Sequence, residues 1–383
     1  MSERWAAGAG SGSRVGEAGR VLVIVAPGQG SQSPGMLDRW LELPGAAAEV
    51  AAWSELTDLD LAALGTTGDA DDVRDTAHAQ PLLITLGVLS ATALGAAAEL
   101  PREQLADLLS GHSVGELTAA ALATVLTDDD AVQLAAFRGT AMKEAAEEPP
   151  SGMSAVLGGD PVEVSARLAE FGLVAANVNA AGQVVAAGPI HRLERLRAEP
   201  PAGARVRPLP VAGAFHTAQM APAAAVLADI ARQITAADPS TPVVANGDGM
   251  VYVDGPALLS VVVGQVASPV RWDICQRTFT EMGVTGLLEI APGGTLTGLA
   301  RRELPGVATL ALKSPDDLDA GAAFIAEHRI RTTIPSRPRP GAGVEHNGGS
   351  TPDHPESPAQ LRGSGSGPAR HPTPSATTPG GDA

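Results

Sequence analysis

Gly111-His112-Ser113-Val114-Gly115 sets a serine in the G-x-S-x-G pattern, where the short apolar run after Leu105 passes into an Ala-rich segment ending at Leu126. A strand, a tight turn and a helix form the context in which this pattern exposes a serine hydroxyl. The glycines permit a strained turn, and the helix N-terminus directs amides and the positive end of its dipole at an oxyanion formed there. The chemistry this allows is acyl transfer through a serine ester. A serine at its ordinary pKa also needs a base within hydrogen-bond reach. Of the eight histidines, His328, His346, His354 and His371 lie at or beyond the expected end of the fold, and His78 and His191 lack a loop-like context. His112 and His216 remain, the second in Val211-Ala212-Gly213-Ala214-Phe215-His216-Thr217.

A third group stands at Pro27-Gly28-Gln29-Gly30-Ser31-Gln32. It lacks the Gly-Lys-Ser/Thr ending of a Walker loop and does not satisfy G-x-G-x-x-G, so nucleotide binding is a poor reading. A glycine-rich turn after a central strand can instead give a main-chain N–H to an oxyanion hole.

The elements that must hold these groups are readable around them. Val21–Val25 is a continuous aliphatic run ended by Pro-Gly, which reads as a central parallel strand buried on both faces. Strand, turn and helix at Ser113 is an α/β signature. Thr127 with Asp130 fits a capping box and starts a new helix near Asp128. Between Gly152 and Pro210 six short segments, MSAVLG, PVEVSARLAEF, LVAANVN, QVVAAG, HRLERLRA and RVRPLPV, read as βαββαβ, a ferredoxin-like unit inserted in a larger domain. After Val211 the α/β rhythm resumes, with strands expected near TPVVAN and GLLEIAP. The expected organisation is a leader at 1–20, a discontinuous, α/β-hydrolase-like catalytic domain at 21–148 and 211–332 with a central parallel sheet, the ferredoxin-like subdomain at 149–210 and a tail at 333–383.

With 383 residues the chain exceeds the ~250–300 at which one core stops growing. A net charge of −17 is opposite in sign to the footprint of a non-specific nucleic-acid binder. The single cysteine, Cys275, excludes an intrachain disulfide or a multi-cysteine metal site and suits a reducing, cytoplasmic setting. The first 20 residues carry no signal-peptide apolar run. The stretch Leu82–Ala98 is short of the ~20 residues of a membrane span and reads as a buried helix. From Pro335 to Ala383, 19 of 49 residues are Pro or Gly, so that segment cannot build a core and is expected to be disordered.

Taken together, PGQGSQ at 27–32, QPLL at 80–83, GHSVGE at 111–116, FRGTAM at 137–142, AGQVVAAG at 181–188, GAFH at 213–216, GQVASPVRW at 264–272 and IAPGGTLTGL at 290–299 resemble the malonyl-CoA:acyl carrier protein transacylases, the acyltransferases of fatty-acid and polyketide synthesis. The resemblance covers about 21–314, and the inserted ferredoxin-like unit is what that family's fold requires. It implies that Ser113 is the acyl-accepting nucleophile and His216 its base, with Gln29 and Val114 supplying oxyanion-hole amides. It further implies that Arg138 holds the malonyl carboxylate and that the Gln265 segment orients His216 through its main-chain carbonyl, so that no catalytic carboxylate is needed. A guanidinium grips a carboxylate bidentately, which makes Arg138 the selector of a diacid thioester. By the same resemblance, Phe215 would place a ring where a substituent on the malonyl α-carbon has to go, and Ala214-Phe215-His216 resembles the malonyl-selective pattern. Asn179 and Gln80 match family positions near the pocket.

Two departures, Ala26 before PGQGSQ and Ala181 in place of a proline in Asn179-Ala180-Ala181-Gly182, touch no catalytic role. The substrates implied are malonyl-CoA, a coenzyme A thioester, and an acyl carrier protein, with no bound cofactor or metal, no nucleic acid or membrane, and a monomer. Arg192, Arg195, Arg197, Arg205 and Arg207 are a basic cluster for the acidic carrier. A serine hydrolase or thioesterase is the alternative reading, and a non-catalytic carrier-binding module the second.

Overall fold

β1 (Leu22–Ala26) is buried at every position, as an aliphatic strand must be when layers cover both of its faces. The structure, a computed structural model, describes residues 20–329 except 148 and 212. The tail and all of the leader but Arg20 lie outside the described residues.

The remaining strands are β2 (Leu108–Gly111), β3 (Ser151–Gly158), β4 (Val174–Ala180), β5 (Gln183–Pro189), β6 (Ala204–Pro208), β7 (Val243–Val244), β8 (Val251–Tyr252), β9 (Gly286–Glu289) and β10 (Ala308–Ala311). Six form one sheet in the order β10-β9-β1-β2-β7-β8, parallel throughout except for the β7–β8 pair. β1 is therefore central, as expected. Its register with β2, Val25 to Ser110 and Ala26 to Gly111, brings the turn after Ala26 beside the turn after Gly111. Both open at the carboxyl ends of the strands, where open α/β sheets place their ligands.

The helix Gly115–Leu122 is buried along its whole length, which explains its small, uncharged residues after Glu116. Thr76–Ala97 and Asp128–Ala146 pack on it and on each other. Thr76–Ala97 is apolar and long enough to cross a membrane, but most of it is buried inside the fold; it extends the apolar stretch read at Leu82–Ala98. Thr127 caps the other helix as expected, its hydroxyl oxygen accepting the Asp130 N–H at 3.0 Å.

β3 to β6 form an antiparallel sheet in the order β4-β5-β3-β6. The helices Pro161–Glu170 and Ile190–Ala198 cover one face with Val164, Leu168, Leu193 and Leu196 packed on Val156 and Ala186. This βαββαβ path and strand order are ferredoxin-like. The free edge, β4, is joined to the rest by main-chain bonds to Val270: Val178 N–H to the Val270 carbonyl and Val270 N–H to the Ala176 carbonyl, each 2.8 Å. The other face of the sheet looks toward the Ser113 turn.

Candidate active site

Ser113 has φ of 55°, the left-handed region that costs a residue with a side chain roughly 1–3 kcal/mol unless its surroundings hold it there. Close packing does part of the holding. A Cβ on Gly115 would lie 2.4 Å from the Ala26 carbonyl oxygen, and one on Gly28 would lie 2.5 Å from the His112 carbonyl oxygen. Only glycines let the two turns stack this tightly.

The Ser113 Oγ lies 2.8 Å from His216 Nε2, and His216 Nδ1 lies 3.2 Å from the Gln265 carbonyl oxygen. A carbonyl can only accept, so Nδ1 carries the proton and Nε2 presents its lone pair to the serine hydroxyl. His216 N–H is itself tied to the Val266 carbonyl at 3.1 Å. Burial, then the Arg138 charge, pushes the His216 imidazole down to about 3, so it is uncharged at neutral pH.

Arg138 is 3% exposed. Its Nη1 donates to Gln80 Oε1 at 2.6 Å and its Nη2 to Ser113 Oγ at 3.1 Å. The Gln80 amide nitrogen in turn donates to Met142 Sδ at 3.5 Å. Burial lowers the Arg138 guanidinium to about 10, which leaves it cationic at neutral pH. Among the described residues no carboxylate forms a hydrogen bond or ion pair with it; Glu116 acts on its charge only through space. Burying a cation is costly when no carboxylate bonds to it, which makes this guanidinium a candidate to receive an anionic group of a ligand.

The main-chain N–H groups of Gln29 and Val114 make no hydrogen bond among the described residues, which leaves both available to an oxyanion. Gln29 is steadied by its side-chain amide, which donates to Thr76 Oγ1 at 3.1 Å. A cavity of about 470 Å³ opens over these groups and is lined by Gln29, Ser113, Arg138, Asn179, Phe215 and His216. Val114, Gln80 and Gln265 do not line it; Gln80 is bonded to Arg138, and the Gln265 carbonyl to the His216 ring. His112, the other candidate base, points elsewhere, with Nε2 2.9 Å from Asn179 Oδ1 and its ring 5.7 Å from that of Trp272.

Two buried residues at the site were not assigned a role from sequence. Asn246 accepts the Ser113 N–H on Oδ1 at 2.7 Å. Glu116, 1% exposed, accepts the Asn246 N–H on Oε1 at 2.7 Å, while its Oε2 has no partner. Burial pushes the Glu116 carboxyl up to about 8. Glu116 lies within the GHSVGE motif, but Asn246 has no local signal beyond that of a turn asparagine.

A serine hydrolase triad has an acid behind its histidine; here a peptide carbonyl stands in that place, and the charge at the serine is a cation suited to an acyl group carrying its own carboxylate. That combination on this fold is an acyltransferase's. The family model described as acyl transferase domain matches residues 23–304, and the chain belongs to that family. It is 50% identical over 299 residues to the malonyl CoA-acyl carrier protein transacylase of Mycobacterium tuberculosis, covering 78% of this chain and 98% of that one. To the Escherichia coli K12 protein of the same name it is 36% identical over 306 residues, again 78% and 98%. The crystal structure of the M. tuberculosis protein superposes with a TM-score of 0.75 over 79% of this chain and 99% of that chain. A malonyl-transacylase solved in complex with a type II PKS acyl-carrier protein does so at 0.73, with 32% identity and coverage of 79% and 99%.

Proposed function

We propose that the chain moves a malonyl group from malonyl-CoA, through an ester on Ser113, to the phosphopantetheine thiol of an acyl carrier protein. The observation that carries this reading is Arg138, a buried guanidinium with no carboxylate partner, 3.1 Å from the serine oxygen. His216 takes the Ser113 proton at Nε2 as Oγ attacks the thioester carbonyl. The oxyanion that forms is held by the Gln29 and Val114 amides. When it collapses, the C–S bond breaks and the His216 proton goes to the coenzyme A sulfur. The carrier thiol then gives its proton to His216, attacks the ester, and leaves Ser113 protonated again. Arg138 releases Ser113 Oγ and grips the malonyl carboxylate throughout, and Phe215 crowds the malonyl α-carbon against a branch. In place of a triad acid, the Gln265 carbonyl accepts the Nδ1 proton and holds the ring in the tautomer the reaction needs.

Residues 149–210 act as an inserted subdomain that walls the cavity. In the antiparallel register Arg207 faces Ala155 and Arg205 faces Leu157, and Ala155 lines the active-site cavity. Directly opposed residues share a face, so the exposed Arg205 and Arg207 flank the cavity and suit an acidic carrier. Arg192 and Arg195 are turned to internal partners instead, the Gly172 carbonyl at 3.0 Å and the Phe171 ring at 4.1 Å. Setting those two aside leaves Arg197, Arg205 and Arg207 of the five, and the register puts the last two beside the cavity. The names of the relatives and the carrier complex support the carrier as partner, and the same transfer serves fatty-acid and polyketide synthesis. A monomer working in the cytoplasm, with no bound cofactor, fits the reading.

Transfer is tested with labelled malonyl-CoA and a pantetheinylated carrier. Label should accumulate on the carrier, whereas free malonate released at the same rate with or without carrier would favour a hydrolase.

A further inference from the structure

Asn246 stands two residues beyond β7, which pairs with β2 through Leu109 to Val243 and Ser110 to Val244. It therefore runs alongside Gly111 and Ser113, the end of β2 and the turn that follows. It is fully buried, and each of its four polar groups is used. Oδ1 accepts the Ser113 N–H at 2.7 Å and Nδ2 donates to the Gly111 carbonyl at 2.6 Å. Its main-chain N–H goes to Glu116 Oε1 at 2.7 Å and its carbonyl accepts the Arg271 N–H at 2.9 Å.

The side chain thus grips both sides of the strained turn with an acceptor and a donor in fixed order. Turning the amide over would set donor against donor and acceptor against acceptor, so the orientation is decided by the contacts. Aspartate offers no donor for the Gly111 carbonyl when ionised, and an aliphatic residue offers neither group. The Ser113 N–H is consumed by this bond, which leaves the oxyanion to Gln29 and Val114. Glu116 anchors the asparagine from the first turn of the helix that follows the serine, so the brace spans strand end, turn and helix start.

We infer that Asn246 is a positioning residue, clamping Gly111 and Ser113 so that the serine hydroxyl stays in the left-handed turn and aligned with His216. It touches neither substrate nor base, and this inference rests on Ser113 being the nucleophile. The test is single-turnover malonylation by rapid quench and intact-protein mass spectrometry, over a range of malonyl-CoA concentrations, with Ser113→Ala in parallel. Asn246→Leu should slow acylation about 100-fold, the scale of a misplacement of about 1 Å, and Asn246→Asp about tenfold, since it keeps the acceptor and loses the donor. Half-saturation by malonyl-CoA should stay within about threefold of the parent, because Arg138 and the cavity are untouched.

A folded fraction of either variant that acylates at the parent rate would overturn the inference, as would a loss confined to half-saturation. Should Asn246→Leu fail to fold, the isosteric Asn246→Asp decides alone. Failure of the parent itself to acylate Ser113 would instead overturn the nucleophile reading, so the two failures are distinguishable.

Discussion

The antiparallel sheet separates two cavities of nearly equal size, about 470 Å³ over Ser113 and about 480 Å³ on the opposite face. Alternate residues of its strands serve the two sides. Ala155, Asn177, Asn179 and Val185 line the first, while Val156, Val178, Ala180 and Val184 line the second. The first gathers buried polar groups aimed at a single atom: Ser113 Oγ meets both His216 and Arg138. The second combines aliphatic side chains with Asp273, Arg277 and Glu303, and its buried amide, Gln276, gives its N–H to the Asn179 carbonyl at 2.8 Å while its Oε1 has no partner. Volume therefore does not distinguish the two sides. What sets the first apart is a buried guanidinium with no carboxylate bonded to it, beside a hydroxyl held in a strained turn.

If that contrast is right, disturbing the two sides should have very different consequences. Removing the buried cation should matter most. Arg138→Ala should cut malonyl transfer about 100-fold and favour acetyl over malonyl thioesters relative to the parent, since charge-assisted bidentate bonds are lost. Unchanged selectivity in competition assays would remove Arg138 from carboxylate recognition. Phe215→Ser should raise methylmalonyl relative to malonyl use about tenfold, the scale of a small apolar group in a pocket. An unaltered ratio of kcat/KM values would place the barrier to the branch elsewhere.

The pH effect should be smaller. A base works in its unprotonated form, and a lowered pKa extends that form toward acid. An imidazole at its ordinary value of ~6.5 would lose roughly tenfold by pH 5.5. With His216 pushed down to about 3, kcat/KM, which reports the free enzyme, should change less than about twofold between pH 7 and 5.5. A fall through 6.5 would contradict the burial and Arg138 effects assigned to it. On the far side of the sheet, Ala175→Leu should leave transfer within about twofold while raising stability by about 0.5–2 kcal/mol as the void fills. Loss of transfer without loss of folding would show that the second cavity is coupled to the first.

Much of the site was legible because its chemistry depends on local patterns. The glycines around Ser113 and the Pro-Gly after β1 mark turns that only glycine can make, and a strand read at Val21–Val25 had to be central. The two histidines left open were separated by the structure, which gives the Ser113 hydroxyl to His216 and ties His112 to Asn179. Asn246 was not legible, because nothing in Val243-Val244-Ala245-Asn246-Gly247 distinguishes a clamp from a turn asparagine; its role appears only when β7 pairs with β2. β8 and β10 escaped for related reasons. β7 is as short as β8 but fully buried, whereas β8 and β10 are half-buried at every position, so no buried apolar run marks either.

The central claim is that Ser113 carries the malonyl group. Intact-protein mass spectrometry with peptide mapping after mixing with malonyl-CoA tests it most directly. A malonyl ester on the Ser113 peptide, absent from Ser113→Ala and cleared by a pantetheinylated carrier protein, is the result expected. An adduct on another residue, or an adduct that survives Ser113→Ala, would contradict it.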